Sequence, residues 1–222
     1  MLRKVVLLVA VVALFAAVGT TVSRTARIEG AEVTLLEVGD IAPEFKLFGV
    51  DYRYHRLECY EDAKAVAVIF HCNHCPISQG NRQALVDLAE EFEGHSVQIL
   101  AINPNPADKV AADGFPQMRE VAEETGYTFP YLYDETQLTA AAYGARRTDH
   151  VFVLGPADDD GNRRIEHIGP IDNRGQEPRY TAMALHSILR DEEIEHKEVE
   201  AFGCTIKYRN DDERQDRGVE FP

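Results

Sequence analysis

Ala65-Val66-Ala67-Val68-Ile69-Phe70 is a six-residue apolar run that ends on His71-Cys72-Asn73-His74-Cys75-Pro76. The run is too short for a buried helix and rich in β-branched side chains, so it predicts a central parallel strand covered on both faces. Beyond it Ile77, Ala84, Leu85, Leu88, Ala89 and Phe92 recur at helical spacing, which predicts an amphipathic helix running to near Gly94. Two cysteines therefore fall at a strand-to-helix junction. Any fold this chain adopts must carry a buried strand, a crossover helix and, between them, a pair of thiols.

The same alternation continues along the chain. Lys46-Leu47 and Tyr52-Arg53-Tyr54 flank the turn Gly49-Val50-Asp51, a short hairpin. Val97 to Ile102 is a second buried strand closed by Asn103-Pro104-Asn105-Pro106, and Met118 to Gly126 reads as a helix. Phe129 to Tyr133 is extended, Thr136 to Tyr143 is a short helix stopped by Gly144, and Val151 to Leu154 is a third strand. Asp158-Asp159-Asp160-Gly161-Asn162 is a turn that brings Arg164 to Ile168 back as an antiparallel edge, and Tyr180 to Leu189 forms the last helix. Strand and helix alternate around one core, an α/β pattern. Residues 31–200 are expected to form one domain, and 201–222 a charged, solvated tail.

At the N-terminus Arg3 and Lys4 precede the apolar stretch Val5 to Val18 and the small residues Ala17-Val18-Gly19. Residues 1–24 thus have the layout of an export signal, or of an N-terminal membrane anchor if the apolar stretch is counted on to Val22. The expected location is outside the cytoplasm, periplasmic or membrane-anchored. With 23 Lys and Arg against 38 Asp and Glu, the net charge of −15 disfavours nucleic acid and anionic membrane surfaces as partners.

Cys72 and Cys75 can close and reopen a disulfide by thiol exchange, and an exported compartment permits disulfides. The spacing alone leaves a structural disulfide or half of a metal site open. Asn73 is placed to cap the following helix, with Pro76 tolerated in its first turn. Cys72 would then lie at the positive end of the helix dipole beside His74, and its pKa is expected to fall below that of a free thiol. Cys59 and Cys204 read as buried small side chains or as a structural disulfide with each other. His150, His167, His186 and His196 are expected to face solvent.

Gly39-Asp40-x-Ala42-Pro43-x-Phe45, Phe70-His71-Cys72-Asn73-His74-Cys75-Pro76, Phe129-Pro130-Tyr131-Leu132-Tyr133-Asp134 and Ala142-Tyr143-Gly144 together resemble the redoxin group of thioredoxin-fold proteins. That group includes alkyl-hydroperoxide-reductase-like and thiol-disulfide-oxidoreductase-like members, and the resemblance spans roughly Val38 to Leu189. It implies a thioredoxin-like three-layer fold with a central mixed sheet and helices on both faces. It also implies an attacking thiol at Cys72, a resolving thiol at Cys75 and no bound cofactor. Phe202-Gly203-Cys204-Thr205-Ile206-Lys207-Tyr208 is similar to a terminal segment of one subgroup.

Two departures from that family stand out. Thr148 precedes Asp149 where the family usually has a cis-proline, and the strand Ala65 to Phe70 lacks the acid that many members bury beside the pair. Asp149 would oppose a thiolate at Cys72, and Arg147 is expected to lie near the sulfur and offset it. A histidine, His71 or His74, or a water would have to move the proton of the resolving thiol.

The leading expectation is an exported thiol-disulfide oxidoreductase that exchanges with protein thiols and disulfides and is recycled by a redox partner. Cys72, Cys75, His74 and Arg147 are its catalytic candidates. A peroxiredoxin-like peroxidase is the alternative among enzymes, though Ile69 stands where a hydroxyl residue would help bind the peroxide. Outside enzymes, His71, Cys72, His74 and Cys75 offer copper or zinc ligands within five residues.

Overall fold

The computed structural model describes residues 25–28, 31–34, 36–171 and 178–209. Residues 1–24, expected to be an export signal or an anchor, and residues 210–222 of the expected tail lie outside these. No helix among the described residues is long and apolar enough to cross a membrane.

A small antiparallel ribbon, β1 (Thr25–Ile28) with β2 (Ala31–Thr34), precedes the main sheet. That sheet contains β3 (Lys46–Gly49), β4 (Tyr54–Arg56), β5 (Ala65–Phe70), β6 (Val97–Asn103), β7 (Tyr131–Tyr133), β8 (His150–Ala157) and β9 (Arg163–Pro170). Their spatial order is β4-β3-β7-β6-β5-β8-β9. β5, β6 and β7 run parallel, while the β3/β4 hairpin on one side and β8/β9 on the other are antiparallel. This is the mixed thioredoxin-like sheet expected from the sequence. β5 lies inside it with every residue buried, as its unbroken apolar run requires.

Side-chain alternation along β5 divides the core in two. Ala65, Ala67 and Ile69 face α1 (Pro76–Glu91), α2 (Phe115–Thr125) and α4 (Tyr180–Leu189) through Leu85, Leu88, Met118, Ala122 and Leu185. Val66, Val68 and Phe70 face Phe45, Leu57, Tyr143, Ile206 and Ala140 of α3 (Leu138–Ala142). Helices do cover both faces, three against one. The second face is completed by irregular chain, including the fully buried Ile206 near the C-terminus. Ile206, within the 201–222 segment expected to be a charged tail, thus packs in the core.

Arg163 at the start of β9 is 2% exposed and donates to the carbonyls of Gly155 at 2.5 Å, Tyr60 at 2.5 Å and Ala63 at 2.9 Å. A guanidinium satisfied by fixed backbone acceptors can be buried without a carboxylate partner. It ties the connection before β5 to the β8/β9 edge.

Among the histidines read as solvent-facing, His150 and His167 are not. His167 is fully buried and bonded to the His196 carbonyl at 2.7 Å, and burial lowers the His150 pKa to about 4.

Candidate redox site

The site forms where β5 ends and α1 begins. Cys75 occupies the N-cap position of α1 with Pro76 directly inside the helix, where the missing N–H of proline leaves no bond unmade. Asn73 does not cap the helix as expected. Its side chain donates to the Ala112 carbonyl at 2.9 Å and accepts from the Tyr131 hydroxyl at 2.9 Å, which pins the loop between β6 and α2 against the cysteine turn.

Asp113 is the residue that sequence spacing could not assign. It lies some 40 positions beyond the cysteines on a short 3-10 turn and is fully buried. Oδ1 accepts the backbone N–H of Asn73 at 2.8 Å and of His74 at 3.0 Å, while Oδ2 pairs with His74 Nδ1 at 2.5 Å and accepts from Asn105 Nδ2 at 2.8 Å. A carboxylate with this many donors is well satisfied in a dry site.

Cys72 is a free thiol with no exposed surface. Its Sγ is 3.5 Å from His74 Nδ1 and 3.9 Å from Ser78 Oγ. Burial pushes its pKa up to about 12 and the Asp113 charge adds to the rise; the Cys75 amide and the Ser78 hydroxyl act in the opposite direction but are outweighed, and Asp149 raises it further. The activated, low-pKa thiol expected from the sequence is thus overturned for this state of the protein. The proximity of His74 is as expected, but its Nδ1 is engaged with Asp113.

Asp149 follows β5 in space, with its N–H bonded to the Phe70 carbonyl, and adopts a left-handed backbone at φ 60°. An aspartate tolerates this conformation better than most residues. Its carboxylate is fully buried between His71 Nδ1 at 2.7 Å and Asn81 Nδ2 at 2.8 Å, and His71 Nε2 meets the Tyr127 hydroxyl at 3.2 Å. Buried carboxylates thus come from two places outside the strand, Asp113 and Asp149. Arg147 does not offset Asp149. It is exposed, and its guanidinium donates to the Gly203 carbonyl at 3.2 Å.

Cys75 is bonded to Cys204, 129 positions along the chain, and Cys59 is free and exposed. This corrects the pairing of Cys59 with Cys204, and it means that the Cys72/Cys75 pair is not closed here. The C-terminal segment reaches Cys75 by lying along the loop before β8. Thr148 N–H donates to the Cys204 carbonyl at 2.8 Å, Ile206 N–H to the Arg146 carbonyl at 2.9 Å, and Arg147 and Thr205 form an antiparallel bridge.

Cys72 Sγ, His74 Nδ1 and an Asp113 oxygen lie within 4.8 Å of one another. One sulfur, one nitrogen and one oxygen could hold a borderline cation such as zinc, although a closed zinc site takes a fourth ligand.

The family model described as AhpC/TSA matches residues 38–163, more than half of the chain and all of β3 to β8. The chain belongs to the AhpC/TSA family. A protein named thiol-disulfide oxidoreductase ResA from Geobacillus thermodenitrificans (strain NG80-2) is 28% identical over 139 residues, 62% of this chain and 71% of its own length. An uncharacterized conserved protein from Geobacillus kaustophilus superposes with a TM-score of 0.71 at 35% identity, covering 78% of this chain and 93% of its own. A hypothetical protein from Sinorhizobium meliloti 1021 gives the same TM-score at 27% identity, covering 78% and 95%.

Proposed function

We propose that the protein is a thiol-disulfide oxidoreductase of the AhpC/TSA family that exchanges with protein thiols and disulfides outside the cytoplasm. The observation that carries the reading is a free Cys72 thiol three positions before Cys75, which is itself already in a disulfide. A relative named thiol-disulfide oxidoreductase supports it. The apolar segment after Arg3 and Lys4 supports export.

In the reduced protein Cys72 attacks one sulfur of a partner disulfide. That S–S bond breaks, the departing partner sulfur takes a proton, and a mixed disulfide to Cys72 remains. Cys75 then attacks Cys72 Sγ and frees the second partner thiol. The partner gains two electrons and the protein is left with one disulfide; the reverse sequence oxidises a dithiol. His74, held by Asp113, is the nearest ring to move the Cys72 proton, and Arg147 acts on the backbone of the segment that carries Cys204. A redox partner recycles the protein.

The test is reduction of insulin disulfides by wild type, Cys72→Ser and Cys75→Ser, with peroxide consumption measured in parallel. Turnover of insulin lost in both variants supports the reading. Peroxide turnover that exceeds insulin turnover would refute it in favour of a peroxidase.

A further inference from the structure

We propose that Cys204 is a third redox cysteine, and that Cys75 alternates between disulfides with Cys72 and with Cys204. The proposal rests on the oxidoreductase reading and adds a residue and a step to it.

Four observations carry it. Cys75 is bonded to Cys204 while Cys72, three positions earlier in the same turn, stays a thiol. Cys75 can pair with only one of the two at a time. Cys72 has no exposed surface, so in this state it cannot meet a partner protein. The segment that brings Cys204 is held by main-chain pairing to Arg146, Arg147 and Thr148, the kind of contact by which extended peptides dock on an exposed edge.

The fourth observation is a chain of contacts joining that segment to the site. Asn105 Oδ1 accepts the Lys207 N–H at 2.8 Å, Asn105 Nδ2 donates to Asp113, and Asp113 holds the turn of Cys72 and His74. Docking of residues 203–207 and the geometry around Cys72 therefore share one buried carboxylate.

The step needs no outside oxidant or reductant. Cys72, once it gives up its proton, attacks Cys75 Sγ; the Cys72–Cys75 bond forms, the Cys75–Cys204 bond breaks, and the Cys204 sulfur leaves as a thiolate and takes the proton. Run backwards, Cys204 attacks Cys75 and returns Cys72 to a thiol. In the direction of substrate reduction, the disulfide first made at Cys72–Cys75 passes on to Cys75–Cys204, which restores the buried thiol and draws the C-terminal segment over the loop.

The fully reduced wild-type chain, mixed with a sub-stoichiometric disulfide peptide, is quenched with acid at successive times, alkylated, proteolysed and mapped by mass spectrometry. The expected course is Cys72–Cys75 first and Cys75–Cys204 later, with their total constant. In Cys204→Ser only Cys72–Cys75 forms, and the ratio of oxidised to reduced dithiothreitol at half-oxidation changes at least about tenfold because the second isomer is lost. Gly203→Ala keeps all four sulfurs and serves as the second variant should Cys204→Ser fold poorly; it is expected to enrich Cys72–Cys75.

A Cys75–Cys204 bond that persists while the wild type turns over insulin would overturn the proposal. So would Cys204→Ser matching wild type in rate and midpoint, or a stable Cys72–Cys204 linkage. Each of these leaves the oxidoreductase reading standing, whereas wild type that never reduces insulin defeats that reading itself.

Discussion

Gly203→Ala isolates the docking of the C-terminal segment from the chemistry of the sulfurs. A Cβ at position 203 would stand 1.9 Å from the Thr148 carbonyl oxygen and 2.9 Å from its carbon. Both are backbone atoms beside β8 and cannot swing aside, so residues 203 and 204 must lift. Lifting breaks the Thr148 N–H bond to Cys204 and the Arg147 bond to Gly203. Each is worth about 1 kcal/mol, and the Thr148 amide, on a fully buried residue, loses its partner at a further cost of about 1–2 kcal/mol. The docked state is then weaker by about 3–4 kcal/mol, which is about 150- to 1,000-fold in an equilibrium. The sign follows from which disulfide needs the docked segment: Cys75–Cys204 does and Cys72–Cys75 does not. Disulfide mapping at equilibrium should show the Cys72–Cys75 share rising by that factor relative to wild type. A ratio within about threefold of wild type would refute the claim that backbone docking holds Cys204 on Cys75.

In a Cys59→Ser background the ultraviolet thiolate signal assigned to Cys72, by difference from Cys72→Ser, should be absent below about pH 10, since burial and Asp113 hold the thiol protonated. A thiolate present at pH 7 would contradict this. The internal exchange from Cys75–Cys204 should quicken about tenfold per pH unit through neutrality, because thiolate is the attacking species and its pKa lies above the whole range. A flat rate would count against Cys72 as the attacker. Asp113→Asn removes one of the charges that raise the Cys72 pKa, so the thiolate should appear at lower pH than in wild type. Arg163→Met removes the guanidinium bonds to the Gly155, Tyr60 and Ala63 carbonyls and should cost about 3 kcal/mol in urea unfolding; a loss under about 1 kcal/mol would show that the carbonyls find other partners.

The sheet was legible because its signals are local. β5 and β6 announce themselves by unbroken apolar runs, α1 by its periodicity and Pro76, and the β8/β9 hairpin by the Asp-rich turn at Gly161, whose φ is 84°. The site was legible only to the extent of Cys72, His74 and Cys75, which are neighbours in sequence. Asp113 could not be found because nothing near it marks it as the carboxylate that binds a turn 40 positions earlier. Its arrival, together with complete burial, reverses the sign of the expected Cys72 shift. Asp149 raises the Cys72 pKa as its charge predicts, yet its carboxylate is met by His71 and Asn81 and not by Arg147. Residues 201–222 read as one charged tail because their acidic and basic residues cluster after Arg209, but Ile206 enters the core and Gly203 permits the close approach that brings Cys204 to Cys75. The spacing of four cysteines does not determine their pairing.

The attacking role of Cys72 is tested most directly by trapping. Reduced Cys75→Ser, which cannot resolve a mixed disulfide, is mixed with a disulfide-bonded peptide, and the adduct is mapped by mass spectrometry. The expected adduct is on Cys72, formed at the cost of one peptide thiol released per chain. An adduct on Cys204 or Cys59 with Cys72 left free would contradict the assignment of Cys72 as the sulfur that meets the partner.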